Sequence, residues 1–183
     1  GLCCVRYGVT RDYVIGLEVV LITGEVIRTG RHTLKSTVGL DLTGLFVGSE
    51  GVLGVITEVT VRLIPMPSPP ATTVAYFTTM SDAGRAILDI FRAGLEPSLM
   101  EIVDRASLQI VNDTYKMDLD ISASCLLLMQ ANGDGAIGTI ERMAAICLEH
   151  GATEVHQVAD PAEGDMFVEV RRRVWPALER LGK

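Results

Sequence analysis

Alternating apolar residues mark the first part of the chain as paired strands. Residues 13–22 are apolar on both alternating faces apart from Glu18, which predicts a strand covered on both sides. A turn at 23–25 leads into a returning segment at 26–29 (VIRT), so the two segments predict a hairpin. From Val55 the period is again two, and one amphipathic face predicts a third strand that is only partly covered on that side.

A proline-rich segment separates this part of the chain from the remainder. Residues 65–71 (PMPSPPA) hold four of the seven prolines. Proline cannot donate to a central strand ladder, so the segment is typical of a stiff linker. We therefore expect a domain boundary here, with one domain over 1–66 and another over 67–183.

Strands and helices alternate after the linker. The predicted strands are 72–79, 98–104, 125–132 and 153–159. The first predicted helix is capped by Ser81 and runs through about residue 94. The next follows the second strand to about residue 115, a third covers 135–149, and the last begins near Pro161. The order β-α-β, an extra helix, then β-α-β predicts an α+β fold, with a ferredoxin-like antiparallel sheet that carries its helices on one face.

Composition and charge exclude several classes of function. The net charge of −7 argues against a nucleic-acid partner, which needs a basic surface. No segment approaches the roughly 18 apolar residues of a transmembrane helix. The four cysteines lack the spacing of a zinc site or a disulfide framework, which favours buried, reduced thiols in a cytoplasmic protein. Those cysteines are Cys3, Cys4, Cys125 and Cys147.

A glycine-rich stretch at 39–65 is the strongest candidate for chemistry. A short helix is expected from Gly39 to Phe46, with Asp41 near its start, and more glycines follow before the strand at Val55. The pattern is neither the GxGxxG-helix of a dinucleotide site nor a phosphate-binding P-loop. A tight structural turn and a ligand-binding edge therefore both stay open. Glu50, between two glycines, is a turn-stabilising acceptor more readily than a general base.

The last helix carries one charged residue where apolar residues are expected. Arg171 falls within the stripe formed by Phe167, Val170 and Val174, and a guanidinium there is costly unless it meets an anion. Trp175 could line the side of a binding site, but a core position is the preferred interpretation. Pro176 is expected to end or kink the helix.

The stretch GLDLTGLFVGSEGVLGVITEVTVRLIP at 39–65 resembles the signature of FAD-linked oxidases of the vanillyl-alcohol oxidase type. It is most similar to the branch that contains glycolate oxidase and D-lactate dehydrogenase. The upstream run VRYGVTRDYVIGLEVVLITGEVIRTG resembles the same family, as does EPSLMEIVDRASLQIV at 96–111.

The resemblance implies roles for both predicted domains. Residues 1–66 would be the C-terminal portion of a PCMH-type FAD-binding domain, and 67–183 the first part of the cap domain. The FAD-contacting segment would consist of Glu50, Gly51, Val52, Leu53, Gly54, Val55 and Ile56. Arg171 matches the cap-domain arginine that binds the carboxylate of a 2-hydroxy acid, although an internal pair with Asp or Glu is an equally open alternative.

The resemblance also implies that the chain is a fragment. It begins after the glycine-rich pyrophosphate-binding half and ends before the metal-binding histidines of the cap and the acid near the flavin. His32, His150 and His156 match no such cluster and are expected at the surface or in loops. No catalytic residue and no metal ligand are therefore assigned, and the isolated fragment is expected to bind FAD weakly or not at all and to be inactive.

Two functions stay open on these grounds. The first is part of an FAD-dependent oxidoreductase that oxidises a small D-2-hydroxy acid such as glycolate or D-lactate, with the hydride passing to the flavin. The second is a non-catalytic flavin-fold subunit or assembly module of a larger complex. A homo-oligomer and partner subunits are both compatible with the sequence, as are a cytoplasmic location and peripheral attachment at an inner membrane.

Overall fold

The computed structural model describes residues 1–31, 33, 39–117 and 119–180. The chain divides into two compact units. One contains Gly8–Met66, and the other contains Pro67–Lys183 together with Leu2–Tyr7, which include the short helix α1 (Cys4–Tyr7). His32 lies outside the described residues.

The first unit is a three-stranded antiparallel sheet with the order β2-β1-β3. Its strands are β1 (Val14–Val20), β2 (Val26–Gly30) and β3 (Val55–Val61). The short helix α2 (Leu42–Phe46) begins where the Asp41 carboxylate accepts a hydrogen bond from the Gly44 N–H at 2.9 Å. The predicted hairpin, short helix and third strand are therefore confirmed.

The covering of this sheet differs from the expectation. Leu17 and Val19 are buried on one face of β1 with Phe46 of α2. On the other face Glu18 accepts hydrogen bonds from Arg28 at 2.5 Å and from Thr57 at 2.9 Å. The prediction that β1 is covered on both sides is therefore wrong, because this polar cluster stays accessible. Every residue of β3 is exposed, so neither of its faces is covered within the described residues.

The second unit contains a four-stranded antiparallel sheet with the order β5-β6-β4-β7. In chain order its elements are β4 (Ala71–Phe77), α3 (Met80–Arg92), β5 (Leu99–Asp104), α4 (Arg105–Tyr115), β6 (Cys125–Ala131), α5 (Ala136–Glu149), β7 (Ala152–Val158) and α6 (Pro161–Glu179). The sheet has the ferredoxin-like order, and α4 is the extra helix. The predicted α+β class is confirmed.

The helices of this unit cover both faces of the sheet, not one. Helices α3 and α5 pack on the face that carries Phe77 and Leu127, whereas α4 and α6 pack on the face that carries Leu126 and Leu128. The prediction of helices on one face is wrong because β6 is buried at all seven positions. Each fully buried leucine contributes about 1.5–3 kcal/mol, so both faces of such a strand need a helical layer.

Two helix ends also differ from the expectation. The N-cap of α3 is Thr79, whose extended backbone lets its hydroxyl accept from the Asp82 N–H at 3.1 Å, whereas Ser81 lies inside the first turn. Helix α6 continues through Pro176 to Glu179. Proline removes one hydrogen bond there, and the fully buried Ala177 holds the last turn against the core.

The thiols fall into two environments. Cys125 and Cys147 are buried, as predicted, whereas Cys3 and Cys4 are exposed. Burial raises the pKa of the Cys147 thiol to about 12. Across the described ranges, no helix has both the length and the apolar character that crossing a membrane demands.

Candidate functional site

The glycine-rich stretch forms a tight turn between α2 and β3. The Val52 N–H donates to the Ser49 carbonyl at 3.0 Å, and the two residues between them, Glu50 and Gly51, have φ of 52° and 81°. Two positive φ values are the requirement of a type I′ turn. In the described part of the chain the Glu50 carboxylate takes part in no hydrogen bond, so its predicted role as a turn-stabilising acceptor is wrong.

Two glycines of this turn are required for different reasons. Gly51 has a left-handed backbone with no atom within 4 Å of the position that a Cβ would take, so its conformation demands glycine and the space beside it is open. A Cβ on Gly54 would lie 2.8 Å from the Val19 Cγ1 and 2.8 Å from the Val20 carbonyl oxygen. Gly54 therefore seats the start of β3 against the backbone of β1, which fixes the position of the turn.

The surface of this turn combines main-chain donors with apolar side chains. Val52 is 84% exposed, and Leu53, Val55 and Ile56 are exposed beside it. Among the described residues no hydrogen bond uses the N–H groups of Gly51 or Leu53. Such an edge fits a flat aromatic ligand with polar atoms along its rim, which is the character of the isoalloxazine ring of FAD. The residues present are therefore compatible with this cofactor.

A second candidate site lies in the second unit. It is a pocket of about 490 Å³ at the end of β5, the start of α4 and one face of α6. Its polar lining residues are Glu101, Asp104, Ser107 and Arg171, and its apolar lining includes Ile102 and Trp175. A volume of this size accommodates a small organic ligand.

Arg171 lies in this pocket and forms an ion pair with Glu101. The Arg171 Nε donates to the Glu101 Oε2 at 2.8 Å, and the two side chains are 37% and 20% exposed. Of the two alternatives that the sequence left open, an internal pair is present. The Nη1 and Nη2 nitrogens of Arg171 make no hydrogen bond to the described residues, so the outer edge of the guanidinium can still bind an anion.

Asp104 lies in the same pocket and caps α4. Its Oδ1 accepts a hydrogen bond from the Ser107 N–H at 2.9 Å. Hydrogen bonds from the Ser107 side chain and backbone lower the pKa of Asp104, and partial burial opposes them only in part. Asp104 therefore stays ionised, and a lowered pKa makes it a weak proton acceptor.

Trp175 is not a core residue. It is 57% exposed, lines the pocket and donates from its Nε1 to the Glu179 Oε1 at 2.8 Å. The prediction of a core position is wrong because this face of α6 borders the pocket, whereas Val168 and Val170 take the buried side.

The two described histidines contact carboxylates. His150 follows α5 in a turn, as predicted, with its Nε2 2.8 Å from Asp89 and its side chain 20% exposed. His156 is 45% exposed, as predicted, with its Nε2 2.8 Å from Glu154. No group of three His, Cys, Asp or Glu residues suited to a metal ion occurs where the structure describes the chain.

Comparison with known proteins defines the class to which these features belong. Residues 66–183 match the family described as "FAD linked oxidases, C-terminal domain". A solved structure of alkyldihydroxyacetonephosphate synthase shares the fold, with a TM-score of 0.64 and 18% identity over 90% of this chain and 34% of that one. The class is that of flavoprotein oxidoreductases with an α+β fold. The chain belongs to the FAD-linked oxidase family, and its cofactor is FAD.

Two relatives narrow the resemblance. The chain is 42% identical to "Glycolate oxidase subunit GlcD" of Bacillus subtilis over 99% of its own length and 39% of that protein. It is also 42% identical to "D-lactate dehydrogenase [cytochrome], mitochondrial" of Arabidopsis thaliana, over 61% of this chain and 20% of that one. The chain thus spans well under half the length of these relatives, and the predicted family membership is confirmed.

Proposed function

We propose that the intact protein containing this chain is an FAD-dependent oxidoreductase that oxidises a small D-2-hydroxy acid such as glycolate or D-lactate. The observation that carries the proposal is Arg171, whose outer guanidinium edge is available for a carboxylate within a pocket of about 490 Å³. In this proposal residues 1–66 are the C-terminal portion of a PCMH-type FAD-binding domain, and 67–183 are the first part of the cap domain.

The cofactor role falls to the turn between α2 and β3. The FAD-contacting segment consists of Glu50, Gly51, Val52, Leu53, Gly54, Val55 and Ile56. Its exposed main-chain donors bind polar atoms of the ring, and its apolar side chains exclude water from the ring face. Bound FAD supplies the hydride acceptor for the oxidation.

The substrate role falls to Arg171 and the residues around it. The Nη1 and Nη2 nitrogens bind the two carboxylate oxygens of the hydroxy acid, a pairing that suits the planar guanidinium. Among the described lining residues there is one cation, Arg171, and two carboxylates, Glu101 and Asp104. A second carboxylate on the substrate would find no partner there, which favours a monocarboxylic acid.

The setting of the intact protein is part of the proposal. One relative is named as a subunit of glycolate oxidase, which supports partner subunits over a homo-oligomer. We place the protein in the cytoplasm. No residue of this chain is assigned as the acceptor of the substrate's hydroxyl proton.

A matched pair of glycine substitutions tests the FAD-contacting segment. Gly51 and Gly24 have φ of 81° and 82°, and a Cβ would meet no atom within 4 Å at either position. Alanine at each should therefore cost the same roughly 1–2 kcal/mol of backbone strain. In the intact protein we expect Gly51→Ala to raise the FAD dissociation constant by about tenfold, because the methyl group holds the ligand away from the main chain, while Gly24→Ala keeps the wild-type value. Equal FAD dissociation constants in both variants would remove the segment from the site.

A second pair tests the carboxylate anchor. Hydrogen bonds to charged groups contribute about 1.5–3 kcal/mol, so Arg171→Met in the intact enzyme should lower kcat/KM for D-lactate or glycolate roughly 10- to 150-fold through KM. Arg172→Met is the control, since Arg172 is on the same helix, is exposed and does not line the pocket. Flavin content should not change in either variant. Unaltered kinetics in Arg171→Met would contradict the proposed anchor.

Flavin reduction separates the enzyme from the non-catalytic alternative. We expect anaerobic addition of D-lactate or glycolate to bleach the visible absorbance of the intact flavoprotein. A flavin that keeps its oxidised spectrum with both acids would favour a flavin-fold subunit without activity.

A further inference from the structure

Building on the proposed function, we propose that Glu101 is a positioning residue for Arg171. It holds the guanidinium through Nε, so that Nη1 and Nη2 remain available for the substrate carboxylate. Glu101 itself would not touch the substrate.

The first support is the geometry of the pair. A guanidinium has five N–H groups, one on Nε and four on its Nη nitrogens. Glu101 engages the single Nε–H at 2.8 Å, and the Nη nitrogens form no hydrogen bond within the described ranges. The contact thus uses the side of the guanidinium that is not needed for a two-point carboxylate pairing.

The second support is the strand pairing that anchors the backbone of Glu101. Glu101 lies on β5, which pairs with β6 along its whole length, including Glu101 opposite Leu128. Arg171 projects from α6, 70 residues further along the chain. A long arginine side chain loses considerable rotamer freedom when it binds a ligand, and an ion pair to a residue of a paired strand removes part of that freedom before the substrate arrives.

A neighbouring ion pair provides a control for the positioning role. Arg173 Nε also contacts a carboxylate, Glu169 Oε1, at 3.1 Å. Both partners of that pair lie on α6, neither lines the pocket, and the Arg173 guanidinium is 4.7 Å from the centre of the Tyr115 ring. Glu169–Arg173 is therefore a matched pair without a positioning role at the pocket.

The test uses the intact flavoenzyme with D-lactate or glycolate as substrate. Glu101→Ala should raise KM roughly 5- to 30-fold, the size expected for freezing one long side chain, with kcat changed by less than about twofold. Glu101→Gln keeps an oxygen acceptor for Nε and should restore KM to within about threefold of the wild type. Glu169→Ala should leave KM and kcat unchanged, and flavin content should be the same in all variants.

The outcomes separate this inference from the proposed function. If Arg171→Met raises KM but Glu101→Ala does not, or lowers it, the positioning role is wrong and the carboxylate anchor stands. If Arg171→Met has no effect, the anchor itself is wrong. A KM rise that Glu169→Ala reproduces would assign the effect to general loosening of α6 and overturn the inference. Should Glu101→Ala fail to fold, Glu101→Asp decides, since it withdraws the acceptor by one methylene: an unchanged KM would overturn the positioning role.

Discussion

Replacing Gly54 by alanine tests whether the turn is held in place by close contact with the sheet. The added methyl group would lie 2.8 Å from the Val19 Cγ1 and 2.8 Å from the Val20 carbonyl oxygen. Both residues belong to β1, the central strand of the first unit, which pairs with β2 and β3. The Val20 carbonyl is main chain, and Val19 is fully buried, so neither can withdraw without moving the sheet.

The free-energy cost of the substitution follows from the lack of space around Gly54. Inserting a methyl group into a well-packed site costs about 1–3 kcal/mol. The chain can relieve the contact only by lifting the start of β3 away from β1, which also shifts the segment 50–56. If the strain is borne by that segment, FAD binding weakens roughly 5- to 150-fold.

The assay is the FAD dissociation constant and the melting temperature of the intact protein. Gly84→Ala is the control, because Gly84 lies within α3 with no atom near its Cβ position, and alanine there should stabilise the helix by up to about 1 kcal/mol. A Gly54→Ala variant with wild-type melting temperature and an FAD affinity within about twofold of wild type would refute the reasoning.

Three further predictions concern single side chains. Glu50→Asn should raise the melting temperature without loss of FAD, because asparagine adopts φ near 52° more readily than glutamate; lost FAD would instead give the carboxylate a cofactor role. Asp104→Ala should lower the opening free energy of residues 105–115 in hydrogen exchange by about 0.5–2 kcal/mol. Because the folded pKa of Asp104 is lowered, the capping stabilisation is present above the unfolded pKa and is lost as pH falls through the folded pKa. A difference between variant and wild type that does not change with pH would contradict this prediction. Cys147 should resist alkylation in the native protein at mildly alkaline pH and react after denaturation, because burial raises its pKa to about 12. Peptide mass spectrometry can measure the labelling, and rapid labelling of the native protein would contradict this prediction.

The elements of the second unit could be predicted because local pattern dictates them. The continuous apolar run of β6 and the helical spacing in α3 and α5 correspond to structures that each segment adopts for its own reasons. The placement of helices on the two faces of the sheet was harder to predict. The apolar run of β6 does indicate two covered faces, yet the pattern alone does not say which helix packs on which face.

Only some residues of the candidate pocket could be predicted from the sequence. Arg171 could be singled out because a cation within an apolar stripe is unusual. Its partner Glu101 lies 70 residues away and has no local pattern that points to a pocket. The one available signal is that both acids of β5, Glu101 and Asp104, fall in the stretch that resembles the family.

By itself the sequence determined the order of strands and helices, the glycine-rich turn before β3 and membership of the FAD-linked oxidase family. The elements and the turn depend on residues close together in the chain, where backbone sterics and hydrophobic period act directly, and the family is carried by short stretches of matching sequence. Tertiary structure alone decided that Gly54 must lack a side chain because of Val20, and that Arg171 meets Glu101 through Nε. Both contacts join residues distant in sequence, and only the packing of one element against another brings such residues within a few ångströms.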